Sequence, residues 1–374
     1  MKLFSLLLLI SCMSNAQDWT AFIGTYTRGV SRGIYSLRYE PATGKMAPIG
    51  LAAQSVSPSF LAVHPNGKWL YAVNESRRYN GIANSGSVSA FSIDHHGGTL
   101  TALNIVPSRG ADPCHLTVDR GGHWLFVANY SAGSVSVFPI GPDGALGEAA
   151  QIVQHSGETK ADPVRQEAPH AHSVDISIDN KLLYVSDLGA DQIVVYNFDA
   201  STGRLTQRST AKQKAGSGPR HIAFSRDHRF LYSFDELTSR IVTFRHDAST
   251  GAMDELQSIS TLPRGFKGPK SGAEIAVEPS GRFLYASNRG HDSIAIFSID
   301  AEQGLLSSVG RVSTQGKSPR HFAIDPEGKH LIVANQDSSN LVAFKIDPDT
   351  GGLTPQGEPL YAPEPVCILF VRMP

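Results

Sequence analysis

Apolar and polar residues alternate along most of the chain in short runs that come in pairs, and a polar turn joins the two runs of each pair. Alternation with a period of two is typical of a β-strand, and turns rich in Pro, Asn, Asp and Gly are typical of hairpins. Six such hairpins occur, at residues 61–75, 115–130, 172–189, 221–237, 274–290 and 321–337. The pattern therefore predicts a repeated antiparallel unit.

A third apolar run follows each hairpin, and a turn built around a glycine closes each unit. The third runs are residues 86–93, 133–140, 192–199, 240–247, 293–300 and 340–347. The closing turns number seven, one more than the hairpins, at Gly44, Gly98, Gly144, Gly203, Gly251, Gly304 and Gly351. We expect the seventh hairpin to be divided between the chain ends, with its first strand at 367–371, its second at 20–25 and the following strand at 33–39.

Seven units of about 51 residues suit four short strands each, which is the blade of a β-propeller. The predicted fold is therefore all-β, a seven-bladed β-propeller with four-stranded antiparallel blades. Pairing of the C-terminal strand with the N-terminal strands would close the ring and remove an exposed sheet edge. One such domain over residues 17–374 replaces the two or three domains that the length alone would suggest.

The first sixteen residues have the pattern of a secretory signal peptide. Lys2 precedes a predominantly apolar run at residues 3–10, and small residues lead to a cleavage site after Ala16. A run of eight residues is too short to span a hydrocarbon core of about 30 Å. A second interpretation is a bacterial lipobox at residues 9–12, in which Cys12 would carry a lipid anchor. Both interpretations predict export to the periplasm or cell envelope of a bacterium.

Charge and cysteine content narrow the possible partners. The 33 Lys and Arg residues balance 34 Asp and Glu residues, so the chain lacks the basic character of a nucleic-acid-binding domain. Three cysteines are too few for a disulfide framework, and Cys114 and Cys367 stand at predicted strand entrances, where we expect buried thiols. We predict a monomer with no nucleic-acid partner and no transmembrane segment.

The candidate chemistry lies where the first strand of each blade starts and the second ends. In an antiparallel hairpin these points share one end, so their residues meet around one mouth of the central channel. Four ionisable residues converge there and are the predicted catalytic residues, His172, Arg220, Glu236 and Arg289. The predicted substrate-binding residues are His170, Asp187, His221, Glu274, Asn288, Arg320 and His321.

Three long connections belong to the same side of the ring and would cover the mouth as lids, at residues 75–86, 155–171 and 263–273. Their cationic residues are Arg77, Arg78, Arg165, Lys267 and Lys270. Positive charge near the mouth favours an anionic small molecule as the substrate.

Structural roles compete with some of these assignments. For His115, Arg320 and His321, each taken singly, hydrogen bonding to the backbone at a blade start is favoured over a functional role. His170 and His172 stand two residues apart and would suit a pair of metal ligands, but no acidic cluster with ligand spacing joins them. We therefore expect no metal and no cofactor.

Longer segments carry a family resemblance. They are RQEAPHAHSV (165–174), SDLGADQI (186–193), GSGPRHIAFS (216–225), and residues 273–297 and 318–338. In these segments the chain resembles the seven-bladed propeller lactonase family, which includes bacterial 6-phosphogluconolactonase and, more distantly, fungal carboxy-muconate lactonizing enzyme. The resemblance covers residues 19–374. By similarity to the lactonizing branch, it implies catalytic roles for His172, Arg220, Glu236 and Arg289.

The leading functional hypothesis is hydrolysis of a sugar lactone similar to 6-phosphogluconolactone. His172 would be the general base, with Glu236 orienting it or exchanging protons itself, while Arg220 and Arg289 would hold the anionic group and stabilise the developing oxyanion. No G-x-S-x-G motif is present, so a serine nucleophile is not indicated. Two alternatives stay open, a muconate-type lactonizing reaction at the same residues and a non-catalytic ligand-binding propeller of the cell envelope. Export also leaves open whether the lactone is phosphorylated.

Overall fold

The computed structural model describes residues 19–372, and within that range all regular secondary structure is β-strand. Seven four-stranded antiparallel sheets and one two-stranded ribbon account for its thirty strands. The innermost strands of neighbouring sheets pack beside one another in a closed ring, so each sheet is one blade of a propeller. The predicted fold class is confirmed.

The first three blades are numbered in chain order. Blade 1 contains strands β1 (Trp19–Thr25), β2 (Gly33–Glu40), β3 (Lys45–Gln54) and, innermost, β30 (Pro365–Arg372). Blade 2 contains β4 (Phe60–Val63), β5 (Trp69–Asn74), β8 (Ser87–Asp94) and β9 (Thr99–Pro107), and its connecting ribbon contains β6 (Arg78–Tyr79) and β7 (Ile82–Ala83). Blade 3 contains β10 (Pro113–Val118), β11 (Trp124–Asn129), β12 (Ser134–Pro139) and β13 (Gln151–Gln154).

The remaining four blades follow the same plan. Blade 4 contains β14 (Ala171–Ile176), β15 (Leu182–Asp187), β16 (Gln192–Asp199) and β17 (Arg204–Lys212). Blade 5 contains β18 (Pro219–Phe224), β19 (Phe230–Asp235), β20 (Arg240–His246) and β21 (Met253–Ser260). Blade 6 contains β22 (Ser271–Val277), β23 (Phe283–Arg289), β24 (Ser293–Ile299) and β25 (Leu306–Ser313). Blade 7 contains β26 (Pro319–Ile324), β27 (His330–Asn335), β28 (Asn340–Ile346) and β29 (Leu353–Tyr361).

The two chain ends meet in blade 1. Strand β30 pairs antiparallel with β1, and Phe22 lies opposite Leu369 in the register. This is the divided hairpin that the count of glycine turns predicts. Because the last strand is held inside the first blade, the ring closes through backbone hydrogen bonds as well as through side-chain packing.

The hydrophobic core is divided into seven clusters, and each cluster lies between two neighbouring blades. Strand β5 shows how this arises, because Leu70 and Ala72 pack towards blade 1 whereas Tyr71 and Val73 pack towards blade 3. Both faces of a middle strand are therefore buried, and its sequence is continuously apolar. Successive blades are joined face to face, which holds the strand ends at the mouth in fixed positions.

The glycine turns fit against the preceding blade. Gly203 has a φ of +74°, and a Cβ atom there would lie 2.3 Å from the Trp124 ring. Only glycine combines this backbone conformation with so close a contact. The recurrence of glycine at this turn thus follows from blade-to-blade packing.

The predicted signal peptide and lipobox, at residues 1–16, lie outside the described residues. Between residues 19 and 372, no helix is long and apolar enough to cross a bilayer. Cys114 and Cys367 are buried free thiols, as the sequence predicts.

Candidate active site

The inner strands carry a recurring β-bulge at the mouth of the channel. In strand β14 the register skips from Ala171 to Ser173, and in β18 it skips from Pro219 to His221. The residues left unpaired are His172 and Arg220. Strands β10 and β26 have the same skip, which leaves Cys114 and Arg320 unpaired. A bulge redirects a side chain out of the regular alternation, and bulges are frequent beside active sites.

Glu236 is the centre of the site and directly follows strand β19. Its Oε2 atom lies 3.0 Å from Arg220 Nε and 3.1 Å from Arg289 Nη2. His172 Nε2 lies 3.7 Å from the same oxygen. Glu236 and His172 are each 4% exposed and Arg220 is 3% exposed. The structure therefore brings all four predicted catalytic residues together around one carboxylate.

The two arginines are also anchored to the backbone of blade 6. Arg220 Nη1 donates to the Ala273 carbonyl at 2.8 Å, and Arg289 Nη2 donates to the Gly272 carbonyl at 2.8 Å. The Nε atoms of both arginines are buried without a hydrogen-bond partner of good geometry. Donors held in place but not fully used suit an anion that forms during a reaction.

Arg165 completes the site from the lid at residues 155–171. Its Nη2 atom donates to Glu236 Oε1 at 2.5 Å and to the Tyr130 hydroxyl at 3.1 Å. The sequence places Arg165 among the lid cations but does not indicate its contact with Glu236, which lies seventy-one residues further along the chain. The sequence places Tyr130 at the mouth after strand β11, in the position that Glu236 occupies after β19, but it assigns Tyr130 no role in the site.

Aromatic contacts hold His172 and its neighbour His170. The Tyr130 ring stacks on His170 with centroids 4.4 Å apart and meets the edge of His172 at 5.5 Å. His170 Nδ1 also lies 2.9 Å from the Tyr130 carbonyl oxygen. His172 Nδ1 is buried without a partner among the described residues. His172 therefore turns its Nε2 side towards Glu236 and keeps its Nδ1 side buried.

Burial and charge set the protonation states of the site. Burial would raise the pKa of Glu236, but Arg289, Arg220 and Arg165 lower it below its ordinary value, so the carboxylate is ionised. Burial lowers the pKa of His172 well below 6.5, and the charge of Arg220 lowers it further. Burial and the neighbouring Arg289 lower the pKa of Arg220 to about 10. At neutral pH the site holds a neutral imidazole beside an ionised carboxylate.

A second buried group lies beside the first. Glu274 Oε2 lies 3.0 Å from His221 Nδ1 and 3.4 Å from His321 Nε2. The His221 ring packs edge-on against the His172 ring at 5.3 Å, which links the two groups. Burial raises the pKa of Glu274 and lowers the pKa of His321 to about 4. His321 Nδ1 accepts a hydrogen bond from the Ile368 amide at 3.3 Å. This is a backbone hydrogen bond of the kind that the sequence favours for His321.

Asp187 and Asn288 lie inside their blades with their polar atoms already engaged. Asp187 Oδ2 lies 2.7 Å from His155 Nδ1, and its Oδ1 accepts from the His170 amide at 2.8 Å. Asn288 Oδ1 accepts from the Thr261 hydroxyl at 2.5 Å. Both residues are fully buried. In the structure they position the strand ends and the lid connections around the mouth.

We expect the buried His321 to make stability depend on pH. Its folded pKa of about 4 lies below the unfolded value of 6.5, so the unfolded chain binds the proton more tightly and stability falls as pH drops from 6.5 towards 4. Between pH 7 and pH 5 the loss from this group is about 2 kcal/mol. Urea unfolding at the two pH values should show that much less loss in His321→Gln than in wild type. Equal losses in the two proteins would contradict the prediction.

The described residues include no group of three or more His, Cys, Asp or Glu side chains placed to hold a metal ion. His170 and His172 both contact the Tyr130 ring, and His172 also faces Glu236. The two histidines are therefore not arranged as a pair of ligands to one metal ion.

A propeller whose channel mouth gathers a neutral histidine, an ionised carboxylate and several arginines has the groups that acid–base chemistry on a small molecule requires. A family model described as lactonase, 7-bladed beta-propeller, matches residues 20–370. The chain belongs to this family, so the resemblance seen in the sequence and the predicted enzyme class, an ester hydrolase acting on lactones, are confirmed.

Individual relatives agree with this assignment. The chain is 35% identical over 301 residues to the 6-phosphogluconolactonase of Bacillus subtilis strain 168, which covers 80% of this chain and 83% of that protein. The structure of the periplasmic gluconolactonase of Pseudomonas aeruginosa has a TM-score of 0.90 and 34% identity, with 96% of this chain and all of that one covered. A crystal structure from Bacteroides fragilis has a TM-score of 0.88 and 38% identity, covering 96% of this chain and 99% of that one.

Proposed function

We propose that the protein hydrolyses an anionic sugar lactone of the gluconolactone type at the mouth of its channel. The observation that carries the proposal is the gap between His172 Nε2 and Glu236 Oε2. At 3.7 Å this pair is too far apart for a direct hydrogen bond and is wide enough for an atom of a water molecule or substrate to contact both groups. The names of the relatives from Bacillus subtilis and Pseudomonas aeruginosa support the substrate class.

In the proposed reaction, His172 acts as the general base. Its neutral imidazole takes a proton from water as the water oxygen attacks the lactone carbonyl carbon. The carbonyl oxygen becomes an oxyanion, which Arg220 and Arg289 stabilise with their partly free guanidinium groups. The ring C–O bond then breaks, and protonated His172 returns the proton to the leaving ring oxygen. The product is the open-chain hydroxy acid.

Glu236 positions the other groups in this proposal. Its carboxylate contacts three guanidiniums and is held ionised by them, so it is a poor proton donor at neutral pH. The same negative charge favours the imidazolium that forms on His172 during the reaction. The sequence leaves two roles open for Glu236, and we assign it the role of orienting and stabilising His172 as the base.

The charge of the mouth supports an anionic substrate. Three arginines share the Glu236 carboxylate, and the charge of Arg320 acts on the same group. The excess of positive charge would attract a lactone that carries a carboxylate or a phosphate.

Export to the periplasm remains part of the proposal. The N-terminal pattern of residues 1–16 supports it, and so does the likeness to a Pseudomonas aeruginosa protein described as a periplasmic gluconolactonase. A monomer remains the predicted oligomeric state.

The test is a pH-stat assay of the purified protein on gluconolactone and on its 6-phosphate, with the spontaneous rate in buffer subtracted. We expect an excess rate on at least one lactone, and we expect equal amounts of the His172→Gln protein to lose it. The ratio of the two excess rates shows whether phosphate matters. An excess rate that survives in the variant would contradict the site, and no excess on either lactone would favour the lactonizing or ligand-binding alternative.

A further inference from the structure

A second group of residues at the mouth, which we name the Tyr26 cluster, consists of Tyr26, Arg28, Glu75 and Arg320. Tyr26 and Glu75 directly follow the second strands of blades 1 and 2, as Glu236 follows that of blade 5. Arg320 is the bulged residue of β26, in the position that His172 and Arg220 occupy in their own blades. Equivalent positions in a closed ring face the same mouth, so this cluster lies beside the proposed catalytic residues.

Within the cluster the Glu75 carboxylate pairs with Tyr26 and with neither of the two arginines. The Tyr26 hydroxyl lies 2.9 Å from both oxygens of Glu75 and donates to that carboxylate. The Arg28 and Arg320 guanidiniums lie over the Tyr26 ring at 4.2 Å and 5.2 Å from its centroid. Burial raises the pKa of Tyr26, so the phenol keeps its proton and remains a donor. Glu75 is thereby directed at Tyr26.

Arg320 differs from the three arginines around Glu236 because it has no direct ion pair among residues 19–372. Arg165, Arg220 and Arg289 each lie within 3.1 Å of a Glu236 oxygen. Among residues 19–372, no carboxylate oxygen lies within ion-pair distance of Arg320, and its recorded contact is the Tyr26 ring face. Its positive charge also lowers the pKa values of His172 and Arg289, so Arg320 lies close enough to the proposed catalytic residues to affect them. The charges of Glu75 and Glu236 act on Arg320 only from beyond ion-pair distance, so its N–H donors are available to an anion that enters the mouth.

We propose that Arg320, held on the Tyr26 ring, binds the anionic group of the substrate that is remote from the reacting ester. This inference rests on the proposed function and assigns its substrate preference to one residue. A guanidinium with free N–H donors can take two oxygens of a carboxylate or of a phosphate. Either group presents an oxyanion at the end of the sugar far from the ester. Binding of acetate and of inorganic phosphate distinguishes a carboxylate from a phosphate.

The first test measures binding without turnover, so that it is independent of whether the protein hydrolyses lactones. Inorganic phosphate and acetate are titrated by calorimetry into wild type and into Arg320→Gln. We expect the Kd of the preferred anion to rise about tenfold to a hundredfold in the variant, as for loss of a charge-assisted hydrogen bond. The control is Arg38→Gln, which removes the same charge from an exposed position on β2 and should leave the Kd unchanged. Unchanged anion binding in Arg320→Gln would overturn the proposal.

The second test uses kinetics on two lactones. With the 6-phosphate, Arg320→Gln should raise KM by about tenfold or more while kcat changes little. With neutral gluconolactone, which lacks the remote anion, KM should rise much less than with the 6-phosphate. An equal loss of kcat on both lactones would make Arg320 part of the catalytic group and overturn the assignment. If wild type hydrolyses neither lactone, the proposed function fails while the calorimetric result still decides on the anion site.

Tyr26→Phe tests the cluster without touching Arg320. The phenylalanine ring keeps the surface on which Arg320 lies, but it no longer binds the Glu75 carboxylate. Glu75 is then free to turn towards Arg320 and neutralise it, so phosphate should bind several-fold more weakly. The double variant Tyr26→Phe with Glu75→Gln should recover the wild-type Kd, because it removes the competing charge. Failure of this recovery would show that Tyr26 does not act by holding Glu75.

Discussion

Replacing His172 with glutamine is expected to lower kcat for lactone hydrolysis by about 10²–10⁴-fold, the usual contribution of a general base. Glutamine is polar and close to histidine in size, but its amide does not accept a proton near neutral pH. The Nε2 atom that faces Glu236 at 3.7 Å would be lost as a base, whereas the arginines around Glu236 would remain in place. KM should therefore change much less than kcat.

The pH profile distinguishes this role from a structural one. Burial and the positive charge of Arg220 lower the pKa of His172, so the imidazole stays neutral below pH 6.5. The kcat of wild type should stay on its plateau as pH falls through 6.5, and it should decline only where His172 becomes protonated. In His172→Gln the residual rate should lack that decline. A variant with wild-type kcat, or with the same acid limb, would contradict the assignment of His172 as the base.

Replacing Arg220 with alanine should lower kcat by about 10²–10³-fold, as expected for loss of an oxyanion donor. The Arg220 guanidinium lies 3.0 Å from Glu236 and 2.8 Å from the Ala273 carbonyl of blade 6, so it is held on both sides. Its removal takes away a donor to the developing oxyanion and one of the charges that keep Glu236 ionised. The two losses act on the same step, so the effect should be on kcat rather than on KM.

Two controls separate this effect from unfolding. Glu236 keeps Arg165 and Arg289 as partners in Arg220→Ala, so the variant should fold and give the β-sheet circular dichroism spectrum of wild type. Arg220→Lys keeps the charge but lacks the planar guanidinium, and it should recover only part of the rate. Full activity in a folded Arg220→Ala protein would show that the oxyanion is stabilised elsewhere.

Part of the site could be predicted because the repeats mark equivalent positions. His172 and Arg220 stand at the same place in two blades, and so do Glu236 and Arg289. Comparing the blades shows that framework positions repeat and that mouth positions vary. The same comparison places Tyr26, Glu75 and Tyr130 at the mouth, since each follows the second strand of its blade, but it indicates no role for them.

Contacts between lids and blades could not be predicted in this way. Arg165 reaches Glu236 from a connection that has no counterpart of equal length in the other blades, and nothing in its local sequence indicates that partner. Asp187 and Asn288 stand at strand ends beside the mouth, yet their side chains form buried contacts with His155 and Thr261. A position along a strand places the backbone at the mouth but leaves the direction of the side chain open.

By itself, the sequence determined the number of blades, the closure of the ring by both chain ends and the set of residues that surround the mouth. These follow from local periodicity and turns, because each blade repeats the same short-range pattern. Only the tertiary structure decided which mouth residues touch, such as the three arginines on Glu236 and the Tyr26 hydroxyl on Glu75. Those contacts join different blades and lids, and the bulges, burial and charge balance that select them exist only once the ring has closed.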